Sequence, residues 1–157
     1  GLDHAGATIG QPTSFFVGSA LNLTPQDPEA EIKNLRRKIK AGADFLLTQP
    51  VYQPQLAEAF LQRYTDKYGA LETPILVGVL PLYSARHAAF LHNEVPGVSI
   101  PEALQGRIQQ AGDQAAREGV RIAIELVEQM RTWARGIYLM PQFSRYDLSA
   151  EVVEGLK

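Results

Sequence analysis

The chain has 157 residues, 45% of them hydrophobic and 20% charged, with a formal net charge of -2. That length fits one ordinary domain with a sizeable core, and the near-neutral charge excludes a general attraction to nucleic acid or an anionic membrane. The lack of cysteine removes disulfides, thiolate metal sites and a cysteine nucleophile; with no bilayer-length apolar run and no secretion signal in Gly1 to Gln11, the expectation is a cytoplasmic protein.

Residues 1–13, rich in glycine and small side chains, read as an incoming loop. Ser14 to Leu21 is apolar at nearly every position, which predicts a strand buried on both faces. Asp27-Pro28-Glu29 then supplies an N-cap, a first-turn proline and an acid at the positive end of a helix. Ile32, Leu35 and Ile39 follow at helical spacing, and Gly42 is placed to stop the helix. The pattern repeats with a short strand, Phe45 to Thr48, and an amphipathic helix from about Pro54 to Tyr68. Leu56, Phe60 and Tyr64 share a face of that helix, and Gly69 closes it. A third strand, Ile75 to Leu80, precedes helical stretches near Ser84 to His92 and Pro101 to Ala111. A longer helix from Asp113 to about Ala134 turns Val120, Ile124, Val127 and Met130 inward. The last strand, Gly136 to Met140, is followed by a short helix near Ser149 to Leu156.

Strand and helix alternate four times, which predicts an α/β chain with parallel strands and helical crossovers. Four units are half of a (β/α)8 TIM-type barrel, and a whole one typically takes about 250 residues. Residues 14–157 are therefore expected to form half of such a barrel. An open doubly wound sheet is the alternative, although no Gly-x-Gly-x-x-Gly turn follows the first strand.

In either architecture the reactive face lies at the carboxyl ends of the strands. The residues there are Asn22, Gln49, Leu82 with Tyr83, and Gln142; none is an acid, a lysine or a histidine. Amides recognise and orient but do not transfer protons at neutral pH. Either a bound cofactor carries the reaction, or the acid and base groups belong to other polypeptide.

Three strands run into proline, at Gln49-Pro50, Leu80-Pro81 and Met140-Pro141. The run from Lys38 to Pro50, with its lysine, Ala-Gly-Ala turn and Thr-Gln strand end, closely resembles the methylenetetrahydrofolate reductase family. Gly78-Val79-Leu80-Pro81 resembles that family's next strand end, and the resemblance extends from about Ser14 to Leu156. The segment Gly136 to Tyr146 looks like the reductase half of bacterial proteins that join a homocysteine S-methyltransferase to the reductase.

The resemblance implies an eight-fold barrel holding FAD, which passes a hydride from NAD(P)H to 5,10-methylenetetrahydrofolate and yields 5-methyltetrahydrofolate. This chain would be its C-terminal half, strands five to eight. By position Gln49 matches the family's glutamine at the folate pterin and nicotinamide, and Arg145 matches a substrate-contacting arginine. Asn22, Glu31, Asn34, Arg37 and Lys38 fall where the family contacts FAD, the two cations suiting its phosphates or ribose. The family's general-acid glutamate and an aspartate near the flavin would lie upstream of Gly1. The expectation is therefore no reductase activity in this chain and weak or no FAD binding.

Taken without the resemblance, Lys33, Arg36, Arg37, Lys38 and Lys40 read as a solvated helix face, and Gln49 as a residue satisfying backbone groups at a barrel rim. His87 and His92, five apart, do not make an i, i+4 metal pair. Trp133, Met130 and Tyr138 read as packing. A second function class is a non-catalytic half-barrel that binds or supports, and both classes predict self-association through open strand edges. A third is a barrel enzyme of another kind, such as a sugar-phosphate isomerase, with phosphate at a helix N-terminus near Ser84 or Ser144.

Overall fold

Of the apolar run at residues 14–21, only Gly18–Leu21 pairs as a strand, β1, in the computed structural model, which describes residues 1–142 and 144–157. Phe143, part of the last segment carrying the family resemblance, lies outside the described residues. Three further strands follow: β2 (Phe45–Pro50), β3 (Ile75–Val79) and β4 (Gly136–Leu139). All pairings are parallel, in the order β1-β2-β3-β4. A doubly wound sheet needs a reversal in strand order, and here there is none. Successive right-handed crossovers to the next strand place their helices on one face, the arrangement of a TIM-type wall.

The crossovers are α1 (Pro28–Lys40), α2 (Pro54–Tyr68), and a longer connection through α3 (Ala85–Glu94), α4 (Glu102–Gln110) and α5 (Ala115–Met130). A final helix, α6 (Tyr146–Gly155), packs on α5. Asp27 caps α1 by accepting from the Ala30 N–H at 3.0 Å, a contact worth about 1 kcal/mol. At the other end Gly42, at φ 98°, lets its own N–H reach the Ile39 carbonyl while that of Ala43 reaches the Lys38 carbonyl. This left-handed turn satisfies carbonyls the helix leaves open.

Strand alternation sorts the sheet into two unlike faces. Leu21, Leu46, Ile75, Val77 and Val79 point toward the helices and are buried. Gly18, Ala20, Phe45, Leu47, Leu76 and Tyr138 share the other face; Gly18 and Ala20 are exposed and the other four half-buried. The expectation of a first strand buried on both faces is thus corrected. Phe15 and Phe16 are 78% and 74% exposed because none of the described elements packs over them; Phe16 stacks instead on Phe45, with centroids 5.3 Å apart.

Two helix boundaries and one face also differ from expectation. Leu56 is 52% exposed, and Ala57 joins Phe60 and Tyr64 in the core. Two steps of four residues rotate a helix position by about 80°, which carries Leu56 off the face that Tyr64 centres. The long third-crossover helix begins in a 3-10 turn at Gly112–Gln114 and ends at Met130. The last helix starts at Tyr146, three residues early, with Asp147 in its first turn. A main core lies under the helices of the sheet, and a smaller one joins Val79, Val120, Val127, Leu148 and Val152. No helix among the described residues is long and apolar enough to cross a membrane.

Candidate functional site at the carboxyl ends of the strands

Glu31, Asn34 and Lys38 recur every three or four residues along α1, so one helix face carries all three toward the end of β1. Glu31 is the hub. Its carboxylate accepts from the Asn22 backbone N–H at 3.2 Å and from Asn34 Nδ2 at 3.4 Å, and lies 3.7 Å from Lys38 Nζ. Lys38 also donates to the Ala20 carbonyl at 2.6 Å. Arg37 donates to Asn34 Oδ1, and Asn22 Oδ1 holds the Thr24 N–H at 2.9 Å. The five residues named for a cofactor, Asn22, Glu31, Asn34, Arg37 and Lys38, therefore form one linked string. Of the remaining basic cluster, Arg36 lies over the Tyr68 ring at 5.3 Å, while Lys33 and Lys40 face solvent.

Gln49 sits beside this string at the end of β2. It lines an open recess of about 390 Å³ with Asn22, Glu31, Lys38, Tyr138 and Met140, on the uncovered side of the sheet. Gly97, in the loop after α3, folds over the same edge at φ 82°; a Cβ there would come within 3.1 Å of Asn22 Nδ2 and 3.9 Å of Gln49 Cγ. That conformation suits glycine alone, and it brings the loop down onto both amides.

The β3 and β4 ends are built differently. Tyr83 stacks on His87 with centroids 4.1 Å apart, and its N–H donates to His87 Nδ1 at 3.4 Å. His87 is buried, and Nε2 has no hydrogen-bond partner among the described residues. Burial holds its pKa below the usual histidine value. Strand-end counting missed His87 because it enters from one turn inside α3. Its partner in the sequence reading, His92, accepts from the Ile100 N–H at 3.1 Å and so ties α3 to the following loop. Arg145 is engaged with Asp147 at 2.7 Å, which raises its pKa, and is not among the residues lining the Gln49 recess. The structure thus gathers six of the seven named residues at the β1 and β2 ends and leaves Arg145 apart.

The family model for methylenetetrahydrofolate reductase matches residues 17–154, nearly the whole chain. The chain belongs to the methylenetetrahydrofolate reductase family. Among curated members, Methylenetetrahydrofolate reductase 2 of Saccharomyces cerevisiae is 27% identical over 113 residues, which is 69% of this chain and 18% of the yeast protein. Methylenetetrahydrofolate reductase 2 of Schizosaccharomyces pombe is 26% identical over 117 residues, 71% of this chain and 18% of its own length. The chain therefore spans under a fifth of those reductases. A solved structure of an uncharacterized protein from Clostridium thermocellum, which binds two copies of 5-methyl-5,6,7,8-tetrahydrofolic acid, superposes with a TM-score of 0.64 at 18% identity. That match covers 88% of this chain and 51% of the clostridial one, and it shows a shared fold.

Proposed function

We propose that this chain is the C-terminal half of a reductase barrel that converts 5,10-methylenetetrahydrofolate to 5-methyltetrahydrofolate with FAD and NAD(P)H, in the cytoplasm. The observation that carries this reading is the placement of Gln49 on the uncovered face, in one recess with Asn22, Glu31 and Lys38. A primary amide offers donors and an acceptor together, so Gln49 can pair with the mixed edge of a pterin or a nicotinamide. The clostridial relative's binding of methyltetrahydrofolate supports a folate as the substrate class. The segment Gly136 to Tyr146 favours a parent that also carries a homocysteine S-methyltransferase.

The residues present fit one side of a flavin dinucleotide. Arg37 and Lys38 are cations at the rim for its diphosphate, and Glu31 and the two asparagines are hydrogen-bonding groups for ribose or ring edges. Bound FAD would supply the hydride transfer. Gln49 would orient the folate, and Arg145, released from Asp147, would hold its carboxylate tail. Of the residues directly after each strand, Asn22, Gln49, Leu82 with Tyr83, and Gln142, none is an acid, a lysine or a histidine, and we assign the general acid to the other half of the barrel.

Half a flavin site binds weakly. Titrating FAD into the chain at micromolar concentration is expected to leave flavin fluorescence unquenched and to give no reductase activity; stoichiometric uptake would contradict the half-site assignment. A second reading, a non-catalytic half-barrel module, draws on the uncovered apolar face and the two outer strand edges. Both readings place a partner on that face, either the N-terminal half of the barrel or a second copy. Light scattering at high concentration is expected to show dimers or larger species, and a strictly monomeric chain would count against an apolar docking face. A purely structural module leaves Gln49 indifferent to 5-methyltetrahydrofolate, whereas a module that binds without catalysis separates from the reductase by lack of turnover when joined to its N-terminal half.

A further inference from the structure

β2 carries one residue too many just where Gln49 sits. Leu47 pairs with Leu76 and Pro50 with Gly78, so three steps along β2 match two along β3. A bulge of this kind breaks the ladder and re-aims the side chain it carries. Four hydrogen bonds repair the break. The Thr48 hydroxyl accepts from the Gly78 N–H at 3.0 Å and donates to the Gln49 carbonyl at 2.7 Å. The Val51 N–H reaches the Gly78 carbonyl at 3.3 Å. Tyr138, two strands away on β4, reaches across β3 and donates its hydroxyl to the Thr48 carbonyl.

That reach depends on position 78 lacking a side chain. A Cβ on Gly78 would lie 2.9 Å from the Thr48 carbonyl oxygen and 3.0 Å from the Tyr138 hydroxyl. Burial holds the Tyr138 pKa above its usual value, so the hydroxyl keeps its proton and remains a donor. The same side chain walls the recess into which Gln49 opens.

We propose that Tyr138 is a positioning residue for Gln49: by holding the Thr48 carbonyl across Gly78 it fixes the β2 bulge and sets the direction in which the Gln49 amide meets its ligand. This rests on the reading of Gln49 as a folate contact. Tyr138→Phe keeps the ring and removes only the hydroxyl. In nitrogen-15 spectra without ligand, the variant is expected to shift the Gln49 side-chain amide and the backbone amides of Thr48, Gln49 and Val51 while the β1 and α6 signals stay in place. Unchanged Gln49 signals would overturn the proposal. Gly78→Ala, which crowds the tyrosine off while leaving its hydroxyl, is expected to move the same signals and serves if the phenylalanine variant folds poorly.

A double-substitution cycle with Gln49→Ala then reads binding of 5-methyltetrahydrofolate. Tyr138→Phe is expected to weaken binding about fivefold in the wild-type background and to have almost no effect once Gln49 is alanine. Additive losses would make Tyr138 an independent contact or a general structural residue, and would defeat the proposal. If Gln49→Ala by itself changes nothing, the folate reading of Gln49 fails and the inference built on it fails with it. That outcome is distinct from one in which Gln49 matters and Tyr138 does not.

Discussion

Gly119→Ala is expected to destabilise the chain by about 3 kcal/mol, reversing the gain that the same change gives in most helices. Gly119 is buried in α5, where alanine ordinarily wins by nearly 1 kcal/mol through lower backbone entropy. Here the missing Cβ is the point of contact. Built at this position it would overlap the Leu82 carbonyl oxygen and stand 2.6 Å from the carbonyl carbon and 3.0 Å from the Leu82 nitrogen. All three are backbone atoms of the segment leaving β3, and backbone cannot swing aside as a side-chain tip can. Either α5 lifts from the sheet or the segment from Leu80 to Tyr83 moves, disturbing the Tyr83–His87 stack. Thermal unfolding is expected to fall by about 10 °C. Gly106→Ala is the internal control: it lies in α4 with nothing within 4 Å of a new Cβ, and is expected to be neutral or slightly stabilising. Equal melting temperatures for the two variants would mean that α5 does not seat on the Leu82 backbone.

Gln49→Ala is expected to weaken binding of 5-methyltetrahydrofolate by at least about tenfold while leaving stability within about 0.5 kcal/mol. The side chain is exposed at the strand end and has no intramolecular hydrogen-bond partner among the described contacts, so its removal leaves no buried group unsatisfied. Its loss takes away a donor and an acceptor from the ligand together. Gln49→Glu separates orientation from chemistry: it keeps the acceptor and the length but loses the donors, and is expected to bind more weakly than wild type. Calorimetry with thermal melts reads both quantities. A large stability loss without a change in affinity would assign Gln49 to the rim of the sheet alone.

The alternation of four strands with helices was legible because periodicity changes sharply at Asp27, Gly42 and Gly69, where caps and turns have their own chemistry. Glu31, Asn34 and Lys38 were named only through the family resemblance; helical spacing then explains why the structure finds them on one face of α1. Register was not legible. One extra residue in β2 is invisible in a run as short as Thr48-Gln49-Pro50, and the Tyr138 contact crosses 90 positions of sequence. Tyr138 therefore read as packing, although its hydroxyl supports the bulge beneath Gln49. The exposure of Phe15 and Phe16 was equally hidden, because apolar composition shows which side chains favour burial and not whether anything arrives to bury them.

Titration of the wild-type chain with millimolar 5-methyltetrahydrofolate, followed residue by residue in nitrogen-15 spectra, tests most directly whether the uncovered strand ends form a folate site. The predicted result is a saturable set of shifts at Asn22, Gln49, Gly97 and Tyr138 that disappears in Gln49→Ala. Shifts confined to the outer groove between α1 and α2, lined by Leu23, Gln53, Leu56 and Arg63, or no shifts at saturating ligand, would contradict it.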